Sequence, residues 1–263
     1  MRILYSEFSP VYETYSFPYG IYALPEKEDE LTQAYRTGFL PYTGDARIEK
    51  SIFYKARSLR VHLSDFKDTS ENRRTAKKFS DFDIALSPCK PTVGKDTDFI
   101  SFAISYADER FKKGEMSENR LRHILSRSYL STVYRYTHGE KTIAYLLSTE
   151  TSEVFHYWFC FYDLNFAPDL PLGKYLMWRA LHYAKNSGFK EVYLGTCYGP
   201  GSLYKARDFK GVQFHDGNRW VGDVKTLKDR CKKDELMNLK KKDRFKVSPD
   251  PNQFIESSQN PNS

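Results

Sequence analysis

Between Thr132 and Leu194 the chain carries three short runs rich in β-branched, apolar and aromatic residues, then one helical period, then a fourth apolar run. This order limits the fold more than any single motif does. Thr132 to Thr137, Thr142 to Ser148 and Val154 to Tyr162 read as strands, and His138-Gly139-Glu140 supplies a tight turn that predicts an antiparallel hairpin between the first two. Leu172 to Asn186 places Leu172, Leu176, Met177, Ala180, Leu181 and Ala184 on one helical face, with Gly188 suited to end the helix in a left-handed conformation. Glu191 to Leu194 returns as a strand. Ahead of this block, Phe99 to Lys113 and Ser117 to Ser128 read as helices, the second with Ser117 as its N-cap. Behind it come a short helix near Ser202 to Arg207 and a hairpin across Asp216-Gly217-Asn218 leading into Arg219-Trp220-Val221.

The segment up to Lys95 differs: it is rich in Tyr, Phe and Pro, with short β-like runs broken by turn residues. Ser58 to Leu63 is the clearest, because Leu59, Val61 and Leu63 alternate with polar residues. The expected organisation is a small β-rich domain over 1–95, a linker at 87–95 with two prolines and a glycine, a second domain over 96–224, and a basic segment with a disordered tail over 225–263.

Composition excludes several classes. Nineteen Phe, 20 Tyr and 3 Trp in 263 residues are too much aromatic mass for a disordered chain. No run approaches the roughly 20 apolar residues that span a bilayer, and Met1 to Pro10 lacks the pattern of a signal peptide, so a cytoplasmic protein without a membrane partner is expected. Cys89, Cys160, Cys197 and Cys231 form no CxxC pair, so no metal site is expected. His156 and Cys160 share the periodicity of their core neighbours and read as packing, and nothing local supports Cys197 with His215 and Asp216 as a nucleophilic triad. The net charge is +7, and Lys225 to Lys246 holds ten Lys/Arg against four Asp/Glu. Such a run attracts phosphate, but it is more often a solvated helix face.

Two helices, a three-strand meander, a helix and a returning strand form the order of the acyltransferase fold called GNAT. The fold class expected is therefore α+β, a GNAT-like acyltransferase domain with a small β-rich N-terminal domain.

Four islands in order resemble the aminoacyl-tRNA protein transferases, the arginyl-transferases and their bacterial leucyl-transferring relatives. Tyr15-Ser16-Phe17-Pro18-Tyr19-Gly20 with Gly38-Phe39 is similar to the family's N-terminal elements, and Phe66 to Arg74 to its Phe-x-x-Ser-x-Ser-Gln-Arg-Arg stretch. Tyr162-Asp163-Leu164-Asn165-Phe166 with Leu172-Gly173-Lys174-Tyr175 resembles Tyr-Asp-Pro-Asp and Leu-Gly-Thr-Tyr, and Val192 to Gly195 with Tyr204-Lys205-Ala206 resembles Tyr-Leu-Gly and Tyr-Lys-Ala. The cysteines that hold a metal or iron-sulfur centre in many members are missing, with Tyr15 where one would stand.

The resemblance implies transfer of Arg, or Leu, from a charged tRNA to the α-amine of proteins with acidic N-terminal residues, which marks them for degradation. Aminoacyl-tRNA is then a co-substrate and the acidic proteins are partners; no other cofactor is called for, and a monomer is expected. Aminolysis of an activated ester needs positioning, removal of a proton and oxyanion stabilisation, but no nucleophilic residue. The site is expected where the strands ending at Asp163 and Gly195 splay, beside the helix start at Gly173, whose free N–H groups would face the tRNA 3′ end or, in an acetyltransferase, the coenzyme A pyrophosphate. Tyr162, Asp163 and Asn165 are the catalytic candidates, Asp163 as proton acceptor or seat for the substrate ammonium, with a turn or cap carboxylate as its plain alternative. Tyr193, Tyr198 and Tyr204 are candidates to stack on the terminal adenosine, although Tyr193 also reads as core. Lys174 and Lys205 are candidate phosphate contacts, and Asn72-Arg73-Arg74 suits bidentate binding of phosphate or an acceptor carboxylate, against a plain surface helix start. Two other functions stay open: an acetyl-CoA-dependent GNAT N-acetyltransferase, weakened because 168–175 offers only one glycine, and a non-catalytic module that binds degrons or tRNA.

Overall fold

The computed structural model describes residues 1–238 apart from 9, 11, 13, 14, 16, 90–95 and 112. Two compact units interleave along the chain: one gathers residues 1–59, 196–204 and those from 213 on, the other 60–195 and 205–212.

The first unit begins with β1 (Arg2–Glu7), β2 (Tyr19–Leu24), α1 (Glu28–Arg36), β3 (Phe39–Pro41) and β4 (Phe53–Lys55). The strands form a small antiparallel sheet in the order β1-β2-β4-β3. In β1, Leu4 points inward while Ile3 and Tyr5 face out, and Leu4 packs with Leu24, Ile48 and Ile52. Helix α1 falls in the segment read as short β-like runs broken by turn residues. Its signal is electrostatic: Glu28, Asp29 and Glu30 sit in the first turn and Arg36 in the last, each complementing the helix dipole. Gly38 follows it with φ +85°, and a Cβ there would meet the His215 ring at 2.4 Å, so only glycine fits.

The second unit carries β5 (Ser58–His62), α2 (Ser70–Lys78), β6 (Ile84–Cys89), α3 (Thr97–Arg110), α4 (Glu118–Leu125), β7 (Thr132–His138), β8 (Lys141–Glu150), β9 (Val154–Tyr162), α5 (Leu172–Asn186), β10 (Glu191–Thr196) and α6 (Tyr204–Arg207). Its strands run in the order β5-β10-β9-β8-β7-β6. The expected meander is present, antiparallel through β7, β8 and β9, with β10 returning parallel to β9. Alternation sends Val133, Leu147 and Phe161 toward Phe99, Ile100, Leu121 and Ile124 of α3 and α4. On the opposite face Tyr136 donates its hydroxyl hydrogen to the Leu176 carbonyl of α5 at 2.8 Å, and Tyr134 meets the Tyr183 ring. Helices thus cover both faces, and each fully buried Phe or Leu contributes about 2 kcal/mol.

Two expectations are corrected here. β5, read as part of the N-terminal β-rich domain, lies beside β10 in this larger sheet. Residues 87–89 are not linker but the end of β6, paired with β7 from Ile84↔His138 to Cys89↔Val133; the rest of the expected linker, 90–95, lies outside the described residues. β6 ends the strand order, and an edge strand tolerates Pro88 because no ladder hydrogen bond is needed on its open side.

The chain then forms β11 (Val212–His215), β12 (Trp220–Val221) and α7 (Val224–Asn238). Asp216 accepts hydrogen bonds from the Asn218 and Arg219 N–H groups, closing the expected hairpin. The described part of the basic segment is α7, which buries Leu227 and Cys231 in the first unit. The tail expected to be disordered, 248–263, lies outside the described residues.

Candidate functional site

β10 pairs with β9 over only three positions, Glu191↔Val154 to Tyr193↔His156. Beyond them β9 continues to Tyr162 and β10 to Thr196 without pairing, so the strands part. The β8–β9 register shifts at the same level: Leu147 opposes Phe159 and Ser148 opposes Tyr157, which leaves Trp158 with no opposing residue. This is a β-bulge, a device that bends a strand and re-aims its backbone. At the mouth of the parting strands Lys205 donates to the Leu194 carbonyl at 2.9 Å, next to Gly195 with φ +77°.

At the end of β9 opens a cleft of about 350 Å³, lined by Tyr162, Asp163, Leu164 and Asn165, by Lys141 and Thr142 of β8, and by the Phe102–Glu109 face of α3. That volume lies at the small end of ligand sites. Asp163 is fixed there: its N–H donates to the Ile143 carbonyl, its Oδ1 accepts from the Asn165 N–H at 2.9 Å, and its Oδ2 lies 2.7 Å from Lys141 Nζ. Burial pushes its carboxyl up, but the Lys141 hydrogen bond and the Asn165 and Phe166 N–H groups outweigh that and hold it below the usual aspartate value. Near neutral pH it is a carboxylate and a weak base. Tyr106 of α3 lies against the Tyr162 ring, 4.7 Å between centroids, and burial pushes its hydroxyl well up, so it stays protonated. Tyr162 in turn touches the start of α5, where a Cβ on Gly173 would lie 3.0 Å from its hydroxyl oxygen.

The segment entering α5 spends its donors on itself. The N–H groups of Asn165, Phe166, Leu170, Leu172, Lys174 and Tyr175 are bonded to Asp163, Ala167, Leu170 or Pro171, while Pro168 and Pro171 have none. Between 165 and 175 no two consecutive N–H groups remain to receive a phosphate.

The structure therefore brings Tyr162, Asp163, Asn165 and Gly173 together, and sets Gly195 beside Lys205. It separates others. Lys174 is paired to Asp208 at 2.9 Å, and Arg207 holds the second oxygen of that buried carboxylate at 2.8 Å. Asn72 is buried as the N3 residue of a capping box, accepting from Thr69, and so is not a ligand group. Arg73 and Arg74 are exposed on α2, bonded to the Asp68 carbonyl and to Glu71. Tyr193 offers no ring face to an adenosine: it is fully buried and its hydroxyl donates to Glu191 at 3.0 Å. Tyr198 is half-exposed and accepts from the Arg57 N–H at 2.9 Å, and Tyr204 is the first residue of α6, directly before Lys205. Cys197, weighed as a nucleophile, has Cys231 as its sulfur neighbour at 3.8 Å. Sequence reasoning missed Tyr106, Glu109, Lys141 and Thr142, which reach the cleft only through the packing of α3 on the sheet. It also missed Asp208, whose only signal is that it follows the Tyr204-Lys205-Ala206 island.

Residues 114–210 match the family model for the acetyltransferase (GNAT) domain, so the chain carries a GNAT-type acyltransferase domain. No curated protein matches the sequence. Similar solved structures include L-PGS from Bacillus licheniformis (12% identity, TM-score 0.40, 68% of this chain and 57% of that one). Another is FemX, at 10% identity and TM-score 0.42 over 64% of this chain and 60% of that one. A third is a lysylphosphatidylglycerol-synthetase-type C-terminal domain from Agrobacterium fabrum, at 12% and 0.40 over 68% and 54%. The chain spans a little over half the length of each.

Proposed function

We propose that this GNAT-type domain transfers an aminoacyl group, Arg or Leu, from a charged tRNA to the α-amine of a protein whose N-terminal residue is acidic. The observation that carries this reading is the Asp163–Lys141 pair inside the cleft where β9 ends. An acidic N-terminal residue presents an ammonium and a carboxylate a few bonds apart, and this pair offers the complementary charges: Asp163 seats the ammonium and Lys141 the carboxylate. The ammonium first gives one proton to solvent; the neutral amine then faces the parted strands and attacks the ester carbonyl, and its second proton passes to the departing ribose oxygen as the C–O bond breaks, leaving an amide and a free ribose hydroxyl. Because Asp163 is held low, it positions the amine and does not take its proton.

What supports an aminoacyl-tRNA donor is the entry to α5. Acetyl-coenzyme A, the donor implied by a GNAT acetyltransferase, needs successive N–H groups for its pyrophosphate, and the prolines and internal bonds of 165–175 do not fit that need. An aminoacyl ester on an RNA 3′ end has no pyrophosphate to be held.

The test is transfer of labelled Arg or Leu from charged tRNA to peptides beginning with Asp, Glu or Ala, with acetyl-CoA in parallel. Transfer selective for the acidic peptides is expected, and Asp163→Asn is expected to raise the acceptor KM by roughly tenfold through loss of a charged hydrogen bond. Folded protein that moves neither amino acid would falsify the reading.

A further inference from the structure

Beside the basic segment 225–246, of which 239–246 lie outside the described residues, the second unit gathers positive charge of its own. Residues 67–78, 172–186 and 205–210 hold eleven Lys/Arg against three Asp/Glu, net +8 in 33 residues, whereas the whole chain is only +7. All three segments lie in the second unit, and packing joins them into one face. Phe79 at the end of α2 stacks on Tyr175 of α5 with centroids 4.4 Å apart, and Trp178 Nε1 of α5 donates to Asp68 Oδ1 at 2.7 Å. The Thr69 hydroxyl donates to the Asp208 carbonyl at 3.1 Å, which ties 205–210 to the start of α2.

The three acids are already committed. Asp68 also lies 3.0 Å from His182 Nε2, Asp208 is buried between Lys174 and Arg207, and Glu71 pairs with Arg74. Lys67, Lys77, Lys78 and Lys210 are exposed and have no carboxylate partner among the described residues. Arg73, Arg74, Lys77 and Lys78 fall at positions that share the outward side of α2, with Asn72 and Thr75 buried beneath. An uncompensated positive surface of this kind suits a polyanion. A lipid surface fits it less well, because none of the exposed large apolar side chains lies in these three segments to enter a bilayer.

We infer that the face built by α2, α5 and residues 205–210 is the docking surface for the double-helical body of an RNA, and that it binds phosphates without reading bases. It rests on the transfer reading for the identity of that RNA, as the stem behind the aminoacylated end. α2, which exposes Arg73, Arg74, Lys77 and Lys78, gives the face a length of about 13 Å, over which a duplex presents on the order of eight phosphates on its two strands.

The experiment uses the full chain and a triple variant, Lys77→Gln, Lys78→Gln and Lys210→Gln, compared at equal melting temperature. An uncharged RNA stem-loop, titrated by fluorescence anisotropy across salt, is expected to bind with a log–log slope of about −4 to −6, and the variant to lose about 2 to 3 of that slope and roughly tenfold in affinity. Vesicles of phosphatidylglycerol and phosphatidylcholine are expected to bind far more weakly than the RNA. Transfer from charged tRNA is expected to show a raised KM in the variant, while transfer from 3′-aminoacyl-adenosine, which has no stem, stays at the wild-type rate. Equal RNA affinity and slope in variant and wild type, or vesicle binding as tight as RNA binding, would overturn the inference. RNA binding that depends on the lysines in a protein inert toward every aminoacyl donor would sustain the docking surface and remove the transfer reading instead.

Discussion

His156 is carried into β9 with its ring sealed from water, and burial, joined by the nearby charge of Lys205, pushes its pKa down from 6.5 to about 3. The neutral ring is the one that fits the fold. In the unfolded chain the same imidazole takes a proton below about pH 6.5, so the unfolded state binds more protons through the whole interval down to about 3. The stability that His156 contributes is therefore complete above 6.5 and drains away as pH falls. Between pH 6.5 and 5 the loss should reach about 2 kcal/mol. The depressed carboxyls, Glu30, Asp163, Asp216 and Asp223, start from ordinary values of 3.8 or 4.5 and act below that interval. Urea unfolding at the two pH values checks this, and His156→Gln is expected to flatten the difference; an unchanged slope in the variant would reassign it.

Among the elements, the meander and α5 were legible because runs of β-forming residues bounded by turn residues, and the 3.6-residue period, are written locally. β6 was not, because Pro88 argues against a strand unless the strand is known to lie at an edge, and that is a property of the assembled sheet. The cleft was half legible for the same reason. Tyr162, Asp163 and Asn165 are consecutive or nearly so, but Lys141 and Tyr106 join them across the sheet and from α3, contacts that leave no trace in spacing. Tyr193 shows the converse: its strand position was read, but not the Glu191 carboxylate that claims its hydroxyl. At the junction of β9 and α5, Gly173→Ala is expected to displace the Tyr162 ring while its better helix propensity keeps stability within about 1 kcal/mol of the parent. A melting curve and the transfer assay separate the two effects: turnover should fall with the melting temperature held.

At the scale of the molecule, the first unit is fastened by Arg57 and Asp234. Arg57 Nη1 and Nη2 meet the two carboxylate oxygens at 2.6 and 3.1 Å, the Gly199 N–H donates to the same carboxylate at 3.1 Å, and both side chains are largely shielded. Removing the acid strands a shielded guanidinium, so Asp234→Ala should cost about 2 to 3 kcal/mol by chemical denaturation, with Asp234→Asn losing less. The clasp joins residues 177 positions apart. On a ribosome the guanidinium emerges 177 residues ahead of its carboxylate, so this clasp closes only after the whole second unit has been made. The meander, whose partners are near neighbours, has no such delay. Helix α7 thus serves as the latch of a segment made long before it, and a chain halted before α7 is born with that latch missing.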